Sequence, residues 1–550
     1  MDLGVIQRYW HTIRHLRSEQ IVGRLWFRLF PRRPDVAAAP MLRPPNGVWR
    51  APALRMPSLV GATEFSFLGR CGRLDEVGWD GPARERLWRY NQHYFDDLNA
   101  EGSAARQSWH RALLLNWVES NPPATGTGWE PYPTSLRIVN WIKWAMAGNT
   151  LPEPCVHSLA IQARWLTKRL ERHLLGNHLF ANAKALLFAG HFFDGDEADQ
   201  WRDTGLAILD HELPEQLLAD GGNFELSTMY HALFLEDLLD LINVSCTWPG
   251  VVARSHVECW VAAVAKMLAW LRGMSHPDGE IALFNDAAFG IAPNPGELMD
   301  FAERLGLGGE ARVTVFGGGI AIQHWRDSGY IRLEAPNAVA MLDVAKVGPD
   351  YLPGHAHADT LSFELSLYGQ RVVVNGGTSR YGVGPERERE RRTAAHSTVE
   401  VDGESSSEVW SGFRVARRAY PFDLLVERDD EMVEVACSHD GYRRLPGKPV
   451  HRRVWRFAPD TLDVSDSITG QYRTAVARYI FHPAIEIDAL SNADWMLRLP
   501  SGQTVSLSVK AGNGSIEPAN YAPRFGQVLR TRCLAVGLIG GGGQVSVRWG

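Results

Sequence analysis

Two histidines and an aspartate alternate in the segment PGHAHADTLSFELSLYG, at positions 355, 357 and 359. Residues two apart in a β-strand point to the same face, so a strand here would place His355, His357 and Asp359 side by side. Two imidazoles that face one space indicate a metal site or a proton-transfer site. Ordinary hydrogen-bonded strand histidines are the alternative.

The HxHxD pattern by itself has another interpretation. It also occurs in metallo-β-lactamase-like hydrolases, where a further histidine follows the aspartate directly. Here Thr360 occupies that place, and the surrounding half of the sequence lacks the βα alternation of that fold. Because a motif without its structural context is a weak signal, we do not favour this interpretation.

Two further segments carry polar side chains at the start of predicted helices. In GNHLFANAKALLFAG, Asn177 and His178 open a helix, and Asn182 lies one turn beyond His178 on the same face. Such groups are suited to a site over a cleft, although Asn177 could simply cap the helix. In DGGNFELSTMYHALFLEDL, turn glycines lead into a helix that carries Tyr230. Half-buried packing is the usual role of a lone helical tyrosine.

The elements that would position these residues change in kind along the chain. Up to about residue 310 the apolar residues repeat with helical period, as in TSLRIVNWIKWAMAG. Beyond that point, short alternating runs such as LSFELSLYG and STVEVDG are separated by turn residues. We therefore predict an α+β protein, with a helical domain over 1–310 and a β-sandwich over 311–550.

Composition and charge limit the partners that the chain can bind. The sequence has 57 Lys and Arg against 63 Asp and Glu, a net charge of −6. No global basic field is present that would hold a nucleic acid, so a polyanion would require a local basic cleft. The six cysteines lie far apart without a CxxC pair. This argues against a zinc ribbon and a disulfide framework, and we expect buried, reduced thiols.

The N-terminal segment has neither the signal-peptide pattern nor the length of a membrane span, because Arg, His and Glu interrupt each apolar run. We therefore predict a cytoplasmic protein, with a periplasmic location as the alternative. Val5, Ile6, Trp10, Ile13 and Leu16 are near helical spacing. We interpret this segment as a helix docked on the core, and association with a membrane surface is the alternative.

Taken together, the motifs resemble the heparinase II/III family of polysaccharide lyases. The resemblance covers roughly residues 85 to 420, and it implies an incomplete (α/α) toroid followed by an antiparallel β-sandwich. The segments that carry it are GNHLFANAKALLFAG, DGGNFELSTMY, GHAHADTLSFEL, VVVNGGTSRY and RRTAAHSTVEVDG, in that order.

The resemblance implies cleavage of an acidic polysaccharide beside a uronic acid, for example in exopolysaccharide handling. In that β-elimination the C5 proton leaves and the O4-linked sugar departs. The enzyme must neutralise the uronate carboxylate, supply a base and protonate the leaving oxygen. By the resemblance, Asn177 and His178 neutralise the carboxylate, Tyr230 serves as base or acid, and His355 faces the cleft from the sandwich. Tyr230 could act as base only if nearby cations favour its phenolate.

Five further residues are candidates for substrate binding. Arg391 and Arg392 belong to the run ERERERR and could bind substrate carboxylate or sulfate if that loop folds over the cleft. A solvated, self-paired loop is the alternative. Arg137 and Trp141, one helical turn apart, could bind and stack a sugar, or could simply pack. Tyr381, in VVVNGGTSRY, is the fifth candidate.

The resemblance also implies a structural zinc ion. Its ligands would be His357, the residue at position 375 and His396, but position 375 is Asn where family members have Asp. A neutral amide oxygen attracts Zn²⁺ less than a carboxylate does, and two histidines plus an amide make a poor closed site. The alternative is a hydrogen-bonded brace of the same three residues that supports His355.

Two other functions stay open from the sequence. The Asn at position 375 motivates a catalytically weakened factor for polysaccharide binding or assembly. A glycoside hydrolase on a similar toroid would need two carboxylates that flank the bond. Asp220 and Glu225 are available in one turn region, without an identifiable opposing partner.

Overall fold

The computed structural model describes residues 3–29, 32–308, 319–429 and 431–550. Its helices are α1 (Leu3–Ile13), α2 (Ser18–Leu29), α3 (Leu74–Val77), α4 (Arg86–Tyr94), α5 (Gln107–Ser120), α6 (Pro131–Met146), α7 (Glu153–Lys168), α8 (Gly176–Phe192), α9 (Asp196–Gln216), α10 (Thr228–Thr247), α11 (Arg254–Gly273), α12 (Pro295–Arg304) and α13 (Pro385–Arg391).

The strands of the first half and of the central region are β1 (Leu59–Gly61), β2 (Glu64–Phe67), β3 (Arg70–Arg73), β4 (Ala321–Trp325), β5 (Tyr330–Ala335), β6 (Ala338–Asp343), β7 (Phe363–Leu367), β8 (Gln370–Val373), β9 (Val399–Val401), β10 (Val409–Trp410) and β11 (Arg414–Val415). The remaining strands are β12 (Pro421–Arg428), β13 (Val433–His439), β14 (Val450–Ala458), β15 (Thr461–Thr469), β16 (Ala475–Ile480), β17 (Glu486–Ala489), β18 (Asp494–Arg498), β19 (Thr504–Ala511), β20 (Asn513–Arg524), β21 (Gln527–Gly537) and β22 (Gly542–Arg548).

Helix α8 lies at the centre of the helical region. It packs against α6, α9 and α10, and nearly every residue from Leu179 to Phe192 is buried. A helix that is apolar on all sides is stable only when neighbours surround it, which is the arrangement in a toroid of helical hairpins. The helix that carries Tyr230, α10, begins at a defined cap, because the Ser227 hydroxyl accepts a hydrogen bond from the Tyr230 backbone N–H.

Antiparallel sheets form the second half of the chain. The order in the largest sheet is β12-β13-β14-β15-β22-β19-β18-β17, and two others have the orders β20-β21-β16-β9 and β4-β5-β6-β7-β8. Strand β14 alternates buried and half-buried residues along its length, so one face packs into the apolar core shared by these sheets. The predicted α+β class, a helical toroid followed by an antiparallel β-sandwich, is confirmed.

The domain limits are less simple than the periodicity indicates. Helix α12 ends at Arg304 and β4 begins at Ala321, whereas the predicted boundary between residues 310 and 311 lies outside the described residues. The predicted division 1–310 and 311–550 stays a prediction. A small sheet, β1-β2-β3, lies within the first half, and the alternation that would have indicated it is only three or four residues long.

The structure tests the expectations about the cysteines and about membrane-spanning segments. Cys155, Cys437 and Cys533 are buried as expected, but the prediction of buried thiols is wrong for Cys71, Cys246 and Cys259, which are exposed. Within the described parts of the chain, none of the helices combines the length and the apolar character needed to cross a membrane.

The helical region and the sheets meet across buried polar contacts. Nε2 of His276 lies 2.7 Å from a carboxylate oxygen of Glu364 on β7, and Arg371 on β8 donates to Asp278 over 2.7 Å. Leu226, Trp270 and Phe284 pack there with residues of β5 and β6. The two regions are therefore held together by polar and apolar contacts that lie outside the cleft described next.

Candidate active site

One cleft of about 1180 Å³ lies between the helical region and the sheets. It brings together five residues that the sequence indicated for the chemistry or the substrate binding of a lyase, from both halves of the chain. Their proposed roles stay predictions, but their proximity is a property of the structure. These residues are Asn177, His178, Tyr230, His355 and Tyr381.

His355 lies in a loop between β6 and β7, because β7 begins only at Phe363. The prediction that His355, His357 and Asp359 share one strand face is therefore wrong. The two histidines nevertheless meet at one carboxylate, while Asp359 accepts the backbone N–H of Asn285 over 3.0 Å.

Asp286 is the carboxylate that both histidines contact. One oxygen lies 2.9 Å from Nδ1 of His355, the other lies 2.8 Å from Nε2 of His357, and the Arg387 guanidinium donates to both oxygens. Burial opposes ionisation of this group, but the Arg387 charge and the bonds from the two histidines hold the pKa of Asp286 well below its usual range. The site therefore contains a carboxylate anion enclosed by three donors.

Sequence reasoning missed Asp286 as a site residue. It stands in the segment ALFNDAAFG, where no repeat or metal-ligand spacing distinguishes it, and it is separated from His355 by 69 residues. The signal that could have been noticed is a charged residue inside an apolar run, since a buried carboxylate is rare without partners.

The His355 ring lies between the Asp286 carboxylate and the Tyr230 ring. The centroids of the Tyr230 and His355 rings are 3.9 Å apart at an angle of 31°. When the Nδ1–H group of His355 donates a hydrogen bond to Asp286, Nε2 is unprotonated and can accept a proton. A carboxylate partner commonly selects the tautomer of an imidazole in this way. His355 is thus suited to act as a base.

Tyr230 extends from the first turn of α10, and its hydroxyl lies 3.0 Å from the Tyr381 hydroxyl. Burial raises the pKa of Tyr230 well above its ordinary value, and the neighbouring Tyr381 raises it further. Arg387 cannot favour the phenolate, since Asp286 compensates its charge. Tyr230 therefore keeps its proton at neutral pH and is suited to donate it.

Asn177 and His178 lie in the first turn of α8, which begins at Gly176. Leu175 is the N-terminal flanking residue, so the alternative that Asn177 merely caps the helix is wrong. Leu175 and Gly176 have positive φ angles of 61° and 55°, a backbone turn that directs the next side chains into the cleft.

A buried glutamate supports His178. Nδ1 of His178 lies 3.1 Å from a Glu171 oxygen, and the Asn182 side chain, one turn further, donates to the other oxygen over 3.0 Å. Burial alone would lower the pKa of His178, but the Glu171 carboxylate outweighs it and raises that pKa. A cationic imidazole is consequently favoured at this end of the cleft.

Glu225 completes the inner wall of the cleft. Its carboxylate lies 3.6 Å from Nε2 of His355, and it accepts the backbone N–H of Asn177. Burial raises the pKa of Glu225 although His355 and His178 oppose the shift. Asp220, the other carboxylate considered for hydrolysis, instead accepts the backbone N–H groups of Asp327 and Ser328, and it does not line the cleft.

Arg137 and Trp141 need correction as substrate-binding candidates. Both are fully buried in α6 and do not line the cleft. Arg137 donates to Gln162 and to the Gly128 carbonyl, and its guanidinium lies 3.8 Å from the centre of the Trp117 ring. The one-turn spacing predicted a shared environment, and that environment is the core of the helical region.

Arg391 and Arg392 also do not reach the cleft. The predicted loop is helix α13 in part, and the buried Arg391 guanidinium donates twice to the Ala356 carbonyl, over 3.0 and 2.8 Å. Arg392 is exposed and lies 3.8 Å from Glu388. Two residues of the arginine run instead stabilise the loop that carries His355. Arg387 binds Asp286, and Arg391 binds the Ala356 carbonyl.

His357, Asn375 and His396 lie together beneath the site. The ring centroids of His357 and His396 are 5.2 Å apart, and Nδ1 of His396 lies 3.0 Å from the Asn375 side-chain oxygen. Burial lowers the pKa of His357 to about 4 and that of His396 to about 3, so both rings are neutral.

The three residues do not fit a closed zinc site. Nδ1 of His357 and Nε2 of His396 are buried without a hydrogen-bond partner, which offers two nitrogen donors. The third donor would be the Asn375 oxygen, which already faces His396, and the described residues contain no group of three His, Cys, Asp or Glu suited to a metal. Structural zinc almost always has four ligands.

The charge of the cleft is balanced. Six Lys and Arg side chains line it, and five of them form an ion pair with a carboxylate. The sixth, Arg169, forms none among the residues that the structure describes, and its guanidinium lies 3.5 Å from the centre of the Phe27 ring. The pairs are Arg55 with Glu236, Arg86 with Glu130, Lys143 with Asp240, Lys184 with Asp237, and Arg380 with Glu85.

Two family models match most of the chain. The model described as heparinase II/III N-terminus matches residues 98–292, and the model described as heparinase II/III-like, C-terminal, matches residues 319–546. Asn177, His178 and Tyr230 lie within the first match, and His355 lies within the second.

Curated relatives are similar over part of their length. A heparin-sulfate lyase of Pedobacter heparinus is 27% identical over 263 residues, which are 42% of this chain and 36% of the relative. A heparin-sulfate lyase of Bacteroides stercoris is 24% identical over 265 residues, 43% of this chain and 38% of the relative. The chain thus matches well under half the length of these relatives.

Solved structures share the fold. Heparinase III superimposes with a TM-score of 0.63 at 17% identity, over 84% of this chain and 76% of the other. The heparan sulfate lyase HepC of Pedobacter heparinus has a TM-score of 0.54 at 18% identity, over 92% and 86% of the two chains. The similarity to both covers the helical and the β regions together.

Proposed function

We propose that this chain, which belongs to the heparinase II/III-like family, is a lyase that cleaves a polysaccharide next to a uronic acid by β-elimination. The observation that carries the proposal is the convergence of Tyr230, His355, Asn177 and His178 on one cleft. A base, an acid and a carboxylate-neutralising group must all reach one sugar unit, because their spacing determines the effective concentration of each group.

The proposed mechanism starts at the carboxylate of the uronic acid. Cationic His178 and the Asn177 amide bind it, which makes the C5 proton more acidic and stabilises the enolate-like charge. Nε2 of His355 removes that proton, with Asp286 stabilising the imidazolium that forms. The electron pair forms the C4=C5 double bond as the C4–O4 bond breaks.

Tyr230 is the proposed acid of the second half of the reaction. Its raised pKa keeps the proton on the oxygen until the departing O4 accepts it. The proton held by His355 then returns through water to the Tyr230 oxygen, so both groups are restored for the next cycle. Tyr381, 3.0 Å away, orients the Tyr230 hydroxyl in this mechanism.

The charge of the cleft supports a sparsely charged substrate. Five of the six lining cations already have a carboxylate partner, so few positive charges are left for sulfate groups. We propose a polymer whose charge comes mainly from its carboxylates, in contrast to the sulfated polymer in the names of the curated relatives. Exopolysaccharide handling in the cytoplasm, or in the periplasm, stays a proposal of this kind.

The change Tyr230→Phe tests the mechanism, because it keeps the buried ring and removes only the hydroxyl. The unsaturated product absorbs ultraviolet light, whereas a hydrolysis product does not. On a panel of unsulfated and sulfated uronate polymers, we expect absorbance to rise faster on unsulfated ones, and kcat to fall by roughly 10²-fold or more in the variant.

The control is Tyr94→Phe, the same change at another buried tyrosine of the cleft. Activity of Tyr230→Phe within a few-fold of the wild type would remove Tyr230 from the mechanism. New reducing ends without ultraviolet absorbance would identify a hydrolase, and binding without any cleavage by the wild type would favour a binding factor.

A further inference from the structure

Helix α2 packs on the rest of the molecule through one face only. Gln20 is buried and donates to the Tyr351 carbonyl, and the Phe27 ring lies 4.6 Å from the His173 ring. Gly23 lies between them on this face, where an added Cβ would come within 2.9 Å of the His173 Cβ. The docked face is thus well defined.

The opposite face of α2 is apolar and faces solvent. Five residues that cluster on one side of a 3.6-residue helix are each between 46% and 68% exposed. Apolar stripes normally face a core, so this stripe has the inverse orientation. The five residues are Ile21, Val22, Leu25, Trp26 and Leu29.

Helix α1, which precedes α2 in the chain, also exposes apolar residues. Tyr9 packs edge-on against Trp410 at 4.9 Å, and Thr12 accepts the Trp410 indole N–H, so one side of α1 is attached to the β region. Ile6, Trp10 and Ile13 stay 48%, 64% and 48% exposed. Clusters of large apolar side chains that face solvent commonly mark a surface that binds a protein or a membrane. We call the eight exposed residues of the two helices the N-terminal apolar surface.

The charge around the N-terminal apolar surface is opposite to that of the whole chain. Residues 3–33 contain seven arginines and one acidic residue, Glu19, in a protein of net charge −6. Among the side chains that the structure describes here, five of the arginines are exposed: Arg8, Arg14, Arg24, Arg32 and Arg33. Trp and Leu on one face, with Arg beside them, is the composition of helices that lie in the interface of an anionic bilayer.

We propose that α1 and α2 dock on an anionic membrane surface, with the N-terminal apolar surface inserted among the lipid headgroups. The docked face of α2 contributes Phe27 to the lining of the cleft, beside Arg169 and His173. Membrane docking would therefore hold this part of the cleft near the lipid surface. The proposal concerns location and does not depend on the reaction in the cleft.

Vesicle co-sedimentation of the full chain tests the proposal. The probes are vesicles of phosphatidylcholine alone and of an equal mixture with phosphatidylglycerol. We expect binding to the mixed vesicles at low salt, weaker binding to the neutral vesicles, and a decrease in binding with rising salt. Leu25→Gln with Leu29→Gln should reduce the partition coefficient about tenfold or more, because both changed residues lie on the exposed stripe.

Matched controls distinguish binding through the N-terminal apolar surface from nonspecific hydrophobic adsorption to vesicles. Leu490→Gln with Ile539→Gln changes two equally exposed apolar residues of the β region and should leave partitioning unchanged. Arg32→Glu with Arg33→Glu should remove the preference for anionic vesicles, which tests the charge without altering the apolar residues. Melting temperatures near that of the wild type would show that each variant is folded.

Three results would overturn the proposal. The first is no binding of the wild type to mixed vesicles at low salt. The second is equal partitioning of the wild type and the Leu25→Gln, Leu29→Gln variant. The third is a wild-type dimer in solution that this variant dissociates, since a second copy of the chain would then be the occupant of the N-terminal apolar surface.

Discussion

Asp286 connects the reacting residues to the frame of the site. It orients His355 through Nδ1, contacts His357 on the other side and compensates the charge of Arg387. A buried carboxylate with three partners is a positioning group, because it selects one tautomer of the imidazole that takes the proton. Its removal should therefore lower activity through the His355 imidazole, in addition to lowering stability.

We expect Asp286→Asn to lower kcat by roughly 10²-fold or more, because the amide cannot stabilise the His355 imidazolium. Removing one partner of a buried ion pair should also lower the free energy of unfolding by about 3 kcal/mol. Steady-state rates at a temperature well below the melting transition, together with chemical denaturation, measure the two effects separately.

Asp466→Asn is the matched control for that change. Asp466 is likewise buried between a histidine and an arginine, His451 and Arg453, but it lies in the β core away from the cleft. It should cost similar stability and leave kcat nearly unchanged. Equal loss of kcat in the two variants would show that Asp286 acts only through folding.

The start of α8 presents the carboxylate-binding pair as one element. The positive φ angles at Leu175 and Gly176 turn the chain into the helix, and Glu171, in the preceding loop, contacts both His178 and Asn182. The charge of His178 is thus determined by the loop before the helix, not by the helix itself.

This arrangement predicts a pH dependence. Glu171 raises the pKa of His178, so the cation is present below that pKa and activity falls as the pH rises through it. Glu171→Gln removes the stabilising charge, and we expect the alkaline limb of kcat/KM to move to lower pH. Glu130→Gln also removes a carboxylate from the cleft but leaves the contact between Glu171 and His178 in place. It should therefore move the alkaline limb less. An unchanged or upward-shifted limb in Glu171→Gln would contradict this assignment.

The cluster of His357, Asn375 and His396, in which only His396 and Asn375 are hydrogen-bonded to each other, predicts the response to metal. Because the amide replaces the carboxylate of a zinc site, prolonged chelation should change the melting temperature little. A zinc ion at hundredfold excess over its Kd would contribute about 2.7 kcal/mol, so its removal would be visible. Asn375→Asp should raise zinc affinity, measured by calorimetry. Stoichiometric zinc in protein never exposed to added metal, with a large drop in melting temperature on chelation, would show that Asn375 serves as a ligand.

At the scale of the whole molecule, the site exists only where the two halves meet. Asp286 comes from the first half, and its partners His355, His357 and Arg387 come from the second. His276 with Glu364, and Asp278 with Arg371, cross the same junction. If the halves separated, these charged groups would lose their ion-pair partners. The apolar surface buried at the junction would also become exposed to water.

We therefore expect a chain cut at a protease site inserted within residues 309–318 to stay assembled. The two fragments should co-elute in size-exclusion chromatography and keep most of the activity of the uncut chain with the same insertion. Fragments that separate in the absence of denaturant would show that the junction is weaker than its buried contacts indicate.

Periodicity and motifs predicted the fold class and five residues of the cleft, of which Tyr381 is one. Helical and strand periodicity are local properties, so the change of texture near residue 310 was visible, and Asn177, His178, Tyr230 and His355 stood in recognisable segments. Their surroundings depend on contacts between distant parts of the chain. Asp286 and Arg387 are 101 residues apart, and the spacing of distant residues carries no information about their contact.

The burial of individual side chains also depends on tertiary packing. Arg137 and Trp141 have the spacing of a sugar-binding pair, yet both lie in the core. The exposed stripe of α2 has the pattern of a core helix, yet it faces solvent. The physical reason is that an amphipathic pattern specifies that one face is apolar, whereas the packing of the other elements determines what that face meets.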